Sequence, residues 1–162
     1  MYKRQPYQTA LQAYTWLLTT PGAGVIYQGD EYGDYGGADP DNRHVLRTDS
    51  ELNTRETSLM DEISAIGQLR LNSEALRQGT YESLSNGTDT IAWSMTTETD
   101  QAVIAMNRGA TSAEFDLELD WVAYDALNEV PMDPEHRFTL DPHSVAIFLE
   151  ADALSVLSLI HI

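Results

Sequence analysis

The acidic, glycine-rich stretch of residues 28–43 holds the side chains of this sequence that are best suited to binding chemistry. Asp39 lies four residues before Arg43, and Tyr35 lies four residues before Asp39. Carboxylates accept hydrogen bonds in pairs, whereas Arg donates a planar fork of N–H groups. Tyr adds a flat apolar face with a hydroxyl at its tip. Together these groups can hold an uncharged ligand that is rich in hydroxyl groups.

The neighbouring acids Asp30 and Glu31 do not read as a catalytic pair, because adjacent residues at a strand end point to opposite faces. We expect these two acids to fix the loop. The four His residues lack metal-ligand spacing. Residues 34–41 lack the alternating ligands and the closing Glu of a calcium-binding EF-hand loop. The sequence therefore predicts binding residues, but no catalytic residue and no metal site.

Two predicted helices flank this stretch. Apolar residues recur at intervals of three and four over residues 8–20 and again over residues 55–71, with one more turn over 73–77. Between them, residues 24–27 form a short apolar run that predicts a buried strand, followed by a polar loop over residues 29–54. A helix, a short turn and a buried strand make the αβ unit of a parallel sheet.

From Gly79 onward the pattern changes to short β-rich runs that are separated by turn residues. Seven strands are predicted, over residues 80–84, 90–95, 102–106, 113–119, 122–127, 138–140 and 145–149. Strands at this spacing indicate an antiparallel β-sandwich. Trp93 is expected in its core. Trp121 is expected there too, with an exposed stacking surface as the alternative.

The run from Thr19 to Arg43, TTPGAGVIYQGDEYGDYGGADPDNR, resembles the segment around the eighth barrel strand of the α-amylase family, glycoside hydrolase family thirteen. In that family a helix ends in a Thr-Pro-Gly-like turn, the strand ends in Tyr-x-Gly-Asp-Glu, and a loop carries Gly-x-Asp-Pro-x-Asn-Arg. Residues 69–79 resemble the passage from the eighth helix into the C-terminal domain, and residues 140–149 resemble that domain's last strand. The resemblance spans nearly the whole chain.

The fold implied by this resemblance is α/β plus all-β. Residues 6–78 would form the last part of a (β/α)8 TIM barrel, with one helix, the eighth strand, a loop and the eighth helix. Residues 79–151 would form an antiparallel β-sandwich. Residues 1–5 and 157–162 resemble translated sequencing-adapter ends, and we predict that they are foreign to an internal slice of a longer gene.

The function implied by the resemblance is that of a retaining glycoside hydrolase that acts on α-1,4-linked starch or maltodextrin. The family's nucleophile, its acid/base and a third carboxylate follow strands four, five and seven, so we expect them upstream and predict that this fragment alone is inactive. Asp39 and Arg43 are implied to contact glucose units on the non-reducing side of the cleavage point. Tyr35 is the third candidate for substrate binding, through stacking of its ring on a sugar, and core packing is its alternative. The alternative is that Arg43 only pairs with Asp39 or Asp41 to hold the loop.

Two other functions stay open at this point: a transglycosylase or α-glucosidase of the same family, and a non-catalytic carbohydrate-binding module. The expected partners are an α-glucan and the missing upstream barrel of the same chain. A formal net charge of −17 argues against nucleic acid and anionic membranes, and no run of roughly 20 apolar residues is present. We expect no cofactor in this fragment, and Ca²⁺ stays open as an option for the rest of the parent protein. The absence of Cys leaves the compartment open, and a secreted or periplasmic parent is favoured.

Overall fold

The computed structural model describes residues 5–117, 119–128, 130–132 and 137–150. Its helices are α1 (Gln5–Thr19), α2 (Thr54–Asn72) and α3 (Glu74–Gln78), with short 3-10 turns at Asp30–Tyr32 and Asp49–Glu51. Its strands are β1 (Thr80–Asn86), β2 (Thr90–Thr96), β3 (Gln101–Asn107), β4 (Ala113–Asp116), β5 (Ala123–Asp125), β6 (Val130–Pro131), β7 (Arg137–Leu140) and β8 (Ser144–Glu150). Residues 1–5 and 157–162, which the sequence predicts to be foreign to the gene, lie outside the described residues except for Gln5.

Both long helices that the periodicity predicted are confirmed, and the start of α2 shows why the sequence folds there. The Asn53 side chain accepts from the backbone N–H groups of Arg55 and Glu56, and the Glu56 side chain accepts from the Asn53 N–H at 2.8 Å. This reciprocal capping satisfies donors that have no partner inside the helix. Helix α2 then ends at Ser73, whose hydroxyl accepts from the Leu76 N–H and caps α3.

Arg70 joins the ends of the helices to one another. Its guanidinium donates to the carbonyl oxygens of Leu18 at 2.8 Å and Gly22 at 2.6 Å, and also to that of Leu76. Carbonyl groups at helix C-termini have no partner inside the helix, so Arg70 satisfies groups that would otherwise be unpaired. Burial, and to a lesser degree Arg77, lowers the pKa of this guanidinium.

The strands form a six-stranded sheet in the order β1-β2-β3-β8-β5-β6 and a separate two-stranded sheet of β4 and β7. Every pairing is antiparallel, and Ile104 of β3 lies opposite Trp93 of β2 and Ile147 of β8. The prediction of an antiparallel sheet is confirmed. The sequence pattern missed β6, because a strand of two residues, one of them Pro131, carries too short a pattern to read.

The large sheet is covered on both faces. One face packs against the helices in a cluster of Leu18, Leu59, Ile63, Ile66, Leu69, Ala75, Leu76, Trp93, Met95, Ala102, Ile104, Ile147 and Leu149. The other face packs against the small sheet in a cluster of Ala92, Val103, Ala105, Phe115, Leu117, Ala123, Met132, Leu140, Ala146 and Phe148. Burial on both sides explains why β3 and β8 are almost continuously apolar. Trp93 is fully buried, as predicted, and Trp121 packs half-buried against the second cluster.

The helices and the sheet meet near Gly79, where α3 gives way to β1. A Cβ at this position would lie 2.8 Å from the Thr96 nitrogen and closer still to the Ala75 carbonyl, so only glycine fits. Leu18 and the buried face of α2 share one cluster with the sheet. The division into units at 6–78 and 79–151 stays a prediction, since these contacts do not show whether either unit folds alone.

The strand predicted over residues 24–27 is not formed, and that prediction is wrong for this structure. Val25 is 79% exposed and Tyr27 is 58% exposed, so the segment is also not buried. A strand requires a neighbour that supplies backbone hydrogen bonds. None of the strands within the described residues pairs with this segment. The described part of the chain also has no helix that is both long and apolar enough to cross a membrane.

Candidate functional site

The predicted binding residues lie together on the loop between α1 and α2. The Arg43 Nε lies 2.7 Å from Asp39 Oδ1, and its Nη2 donates to Asp39 Oδ2 at 3.2 Å. These side chains are 71% and 59% exposed, so the pair faces solvent and keeps hydrogen-bonding capacity free. Tyr35 is 86% exposed, which excludes core packing and leaves its ring accessible. The structure therefore brings Asp39 and Arg43 into contact and displays Tyr35 on the same loop.

The turn that carries the pair is fixed by its own backbone and one carboxylate. Gly37 N–H donates to Asp41 Oδ2 at 2.8 Å, which closes the turn around Asp39. A Cβ on Gly36 would lie 2.5 Å from the Asn42 Cα. The backbone on the two sides of the turn therefore approaches too closely at this point for any residue other than glycine. Glycine at position 36 is therefore required by this turn.

Arg47 forms a charged cluster at the base of the loop that sequence reasoning missed. Its Nη1 and Nη2 donate to the two carboxylate oxygens of Glu56 at 3.2 and 3.0 Å, and Nη2 lies 3.4 Å from Asp34 Oδ1. The guanidinium carbon also lies 4.8 Å from the centre of the Tyr32 ring. The side chains of Arg47 and Glu56 are 31% and 10% exposed, so water screens this pair less than it screens the Asp39–Arg43 pair.

The cluster shifts the pKa of both partners. The hydrogen bond to Glu56 raises the pKa of Arg47. Burial acts to raise the pKa of Glu56, but hydrogen bonds from Arg47 and from the Asn53 N–H outweigh it and leave that pKa lowered. A signal was present in the sequence, since Asn53 and Glu56 have the spacing of a capping box and Arg47 is a rare cation in an acidic stretch.

His44 extends the cluster toward the turn. Its Nδ1 lies 3.0 Å from Asp34 Oδ2, and its Nε2 lies 3.7 Å from Asp41 Oδ1. The hydrogen bond to Asp34 raises the pKa of His44, which favours the charged imidazole. The Gly37 N–H lowers the pKa of Asp41, and His44 adds to this effect. The contacts of His44 with Asp34 and Asp41 are therefore strongest when the imidazole is charged.

A cavity of about 380 Å³ opens beside the loop. Aromatic rings and carboxylates line it, together with polar side chains, namely Tyr27, Gln28, Asp30, Tyr32, Asp34, Tyr35, Asn42, His44 and Leu46. Of the predicted binding residues, Tyr35 lies on its wall, whereas Asp39 and Arg43 lie on the exposed part of the loop. Aromatic faces beside polar groups suit a ligand with both apolar faces and hydroxyl groups.

The neighbouring acids Asp30 and Glu31 contact different parts of the molecule: Glu31 bonds within the loop, and Asp30 bonds to Tyr14 of α1. The Glu31 carboxylate accepts from the Gly29 N–H at 2.7 Å, which confirms the expected loop-fixing role of Glu31. Burial, aided by the charge of Asp30 and a hydrogen bond to it, raises the pKa of Tyr14 to about 12. Across the described ranges, no three His, Asp or Glu side chains lie together as metal ligands would.

The sequence of this chain is similar to those of enzymes named for starch-related substrates. No protein-family profile matches the sequence. An amylopullulanase from Thermoanaerobacterium thermosulfurigenes is 38% identical over 72 residues, which is 44% of this chain and 4% of the relative. A cyclomaltodextrinase from Geobacillus thermopakistaniensis is 29% identical over 109 residues, which is 66% of this chain and 18% of the relative. The chain therefore spans less than a fifth of these curated relatives.

A solved structure shows the same similarity in three dimensions. The α-amylase from Geobacillus thermoleovorans, solved in complex with acarbose, superposes with a TM-score of 0.78 at 26% identity. The superposition covers 89% of this chain and 33% of the α-amylase chain. Helices, loop and sheet are thus found together in a protein about three times as long. The resemblance predicted from the sequence is confirmed.

Proposed function

We propose, from the confirmed similarity of this chain to the α-amylase family of glycoside hydrolases, that it is the C-terminal part of an enzyme that hydrolyses α-1,4-linked starch or maltodextrin with retention. The small share of each relative that the chain covers supports a larger parent. The observation that carries the proposal is the exposed Asp39–Arg43 pair on a loop beside an aromatic and acidic cavity. The same loop motif carried the resemblance in the sequence.

The loop would supply sugar contacts on the non-reducing side of the cleaved bond. Arg43 uses two nitrogens on Asp39, which leaves donors on the guanidinium for sugar oxygens. Both carboxylate oxygens of Asp39 keep a second lone pair for sugar hydroxyls. The exposed Tyr35 ring offers a face on which a sugar ring stacks. Arg43 thus has two roles that coexist: it orders the turn through Asp39, and it contacts the ligand.

The reaction itself would depend on carboxylates upstream of this chain. A retaining hydrolase uses one carboxylate as nucleophile and a second as acid/base, about 5 Å apart across the bond. Within the described residues, Asp39 is engaged by Arg43, and Glu31 and Glu56 hold backbone N–H groups of the loop and of α2. We therefore propose that the chain alone is inactive and that the parent provides both groups.

Residues 24–27 would pair with strands of the same upstream part. Val25 and Tyr27 are exposed apolar side chains on a segment that has no strand neighbour in the described part of the chain. An apolar segment of this kind is stabilised when a sheet edge covers it. The proposal is that the segment becomes a barrel strand in the longer protein, which makes the upstream barrel the first partner of this chain.

A second candidate, beside the transglycosylase or α-glucosidase that the sequence left open, is an enzyme of the same family that acts on cyclic maltodextrins. The cyclomaltodextrinase relative, with the longer aligned stretch, favours it. Such enzymes would share the loop and differ in groups that contact the leaving side of the substrate. A stand-alone carbohydrate-binding module is less well supported, because the fully buried Trp93 and the half-buried Trp121 leave no flat tryptophan platform among the described residues of the sheet.

The direct test is the substitution Arg43→Ala in the longer enzyme. Loss of one charged sugar contact should raise KM for maltooligosaccharides about tenfold, equal to about 1.4 kcal/mol. Arg108→Ala is the matched control, since Arg108 forms an equally exposed ion pair with Asp89 far along the chain, at 3.4 Å. Unchanged KM and kcat in the Arg43 variant would leave Arg43 only the role of holding the loop.

A further inference from the structure

The binding loop is held to the rest of the molecule at its base by Arg47. The guanidinium of Arg47 makes a two-point contact with Glu56, and it also reaches Asp34. The Arg47 backbone N–H donates to the Tyr32 hydroxyl at 3.2 Å. One residue therefore contacts the beginning of the loop, through Tyr32 and Asp34, and the first turn of α2, through Glu56.

Glu56 makes this contact rigid because it belongs to a well-packed helix. Its carboxylate also accepts from the Asn53 N–H and closes the capping box at the start of α2. The next turn of α2 buries Leu59, and the turn after it buries Ile63, both in the cluster that covers the large sheet. Arg47 thus bonds to a carboxylate whose position is already set by the core.

From Arg47 a continuous chain of contacts leads to the predicted sugar-binding pair. Asp34 accepts from Arg47 on one oxygen and contacts His44 on the other. His44 faces Asp41, and Asp41 accepts from the Gly37 N–H across the turn that holds Asp39 and Arg43. Each link is a charged or charge-assisted contact. The strongest and least exposed of them are the two hydrogen bonds between Arg47 and Glu56.

We propose that Arg47 is the positioning residue of the sugar-binding loop: it fixes the loop to α2 through Glu56 and Asp34 in the conformation in which Asp39 and Arg43 bind sugar. This inference rests on the proposed function. Arg47 does not line the cavity, so it acts through other residues. Lys cannot replace it, because a planar fork matches a carboxylate at two points and also stacks on the Tyr32 ring, whereas an ammonium does neither as well.

The experiment compares Arg47→Lys and Arg47→Gln with the unchanged 162-residue chain. Maltoheptaose affinity is measured by NMR titration, and exchange of the Gly37 and Arg43 amides is measured without sugar. Both variants should bind maltoheptaose about tenfold more weakly and exchange these two amides about tenfold faster. The amides of Ile104 and Ile147 in the sheet should exchange as before. Arg108→Gln is the control variant and should change neither readout.

Glu56 provides a second, independent variant. Glu56→Gln keeps the size of the side chain and removes its charge, so it should give the same loss of affinity, and the double variant with Arg47→Gln should lose little more. Arg47→Lys binding as tightly as the unchanged chain would overturn the proposal. The proposal would also be overturned if the exchange rate of the Ile104 amide rose in the variants as much as that of the Gly37 amide. Such a result would indicate that the substitution destabilises the whole chain.

These measurements test the proposed function and the role of Arg47 separately. If the unchanged chain does not bind maltoheptaose, the proposed function is contradicted for this loop. The exchange measurement then decides on Arg47 alone: faster exchange of Gly37 in Arg47→Gln supports its positioning role, and unchanged exchange overturns it.

Discussion

The large sheet and the loop between α1 and α2 are held together by different forces. In the sheet, Trp93, Ile104 and Ile147 are fully buried and belong to the cluster that packs the sheet against the helices. In the loop, most side chains are exposed, and its conformation depends on ion pairs and hydrogen bonds around Arg47. Burial of apolar surface is non-directional, whereas hydrogen bonds between charged groups fix orientation. The sheet therefore sets stability, and the loop sets the placement of a few polar groups.

The largest effect is expected in the sheet. Ile104→Ala should lower the free energy of unfolding by about 3 kcal/mol, because it removes buried methyl groups and leaves a cavity between two packed layers. Urea denaturation measures the change. Val122→Ala, at an exposed position, should cost less than about 0.5 kcal/mol. If both variants lost a similar free energy of unfolding, the burial of a side chain would not explain its contribution to stability.

The second effect concerns the joint between the helices. Arg70→Met should cost about 2 kcal/mol, since it leaves the carbonyl groups of Leu18 and Gly22 without their charged donor. Thermal unfolding monitored by tryptophan fluorescence is suitable, because Trp16 of α1 contacts Trp93 with a ring separation of 4.9 Å. Arg108→Met, in an exposed pair, should change little. An Arg70 variant as stable as the unchanged chain would show that packing alone fixes the helices.

Local sequence patterns predict some elements of this fold and cannot predict others. Helix α2 was predictable because its apolar period and its capping residues are local, and most strands were predictable because runs such as those in β3 and β8 are uniformly apolar. The segment at 24–27 was misread because a strand is defined by its neighbour, which the local pattern does not contain. The ion pair between Arg47 and Glu56 was missed for the same reason, since it depends on how the loop folds back on α2.

The smallest effect is a dependence of sugar binding on pH through His44. The contact with Asp34 raises the pKa of His44, so the contacts of the charged imidazole are complete below its ordinary value near 6.5 and are lost as the pH rises through the raised pKa. Asp34 and Asp41 face the ring directly, and Arg47 shares Asp34 with it. Maltoheptaose affinity should fall about threefold from pH 6 to pH 8.5.

The substitution His44→Gln removes the titrating group and should give a flat profile over the same range. NMR titration of the His44 ring in the unchanged chain gives the pKa directly, and Asp34→Asn should lower it. A threefold fall in affinity that persists in His44→Gln would assign the pH dependence to another group. A His44 pKa at or below its ordinary value would contradict the contact with Asp34.

The most direct test of the central claim is a map of where maltoheptaose perturbs the amide signals of the 162-residue chain. We predict saturable shifts of the amide signals of residues 27–46, in the loop and around the cavity, and unchanged signals in the sheet. In the Arg43→Gln variant these shifts should be lost. Shifts centred on the strands of the large or small sheet, or no saturable shift at all, would contradict the assignment of this loop as the sugar-binding part of the chain.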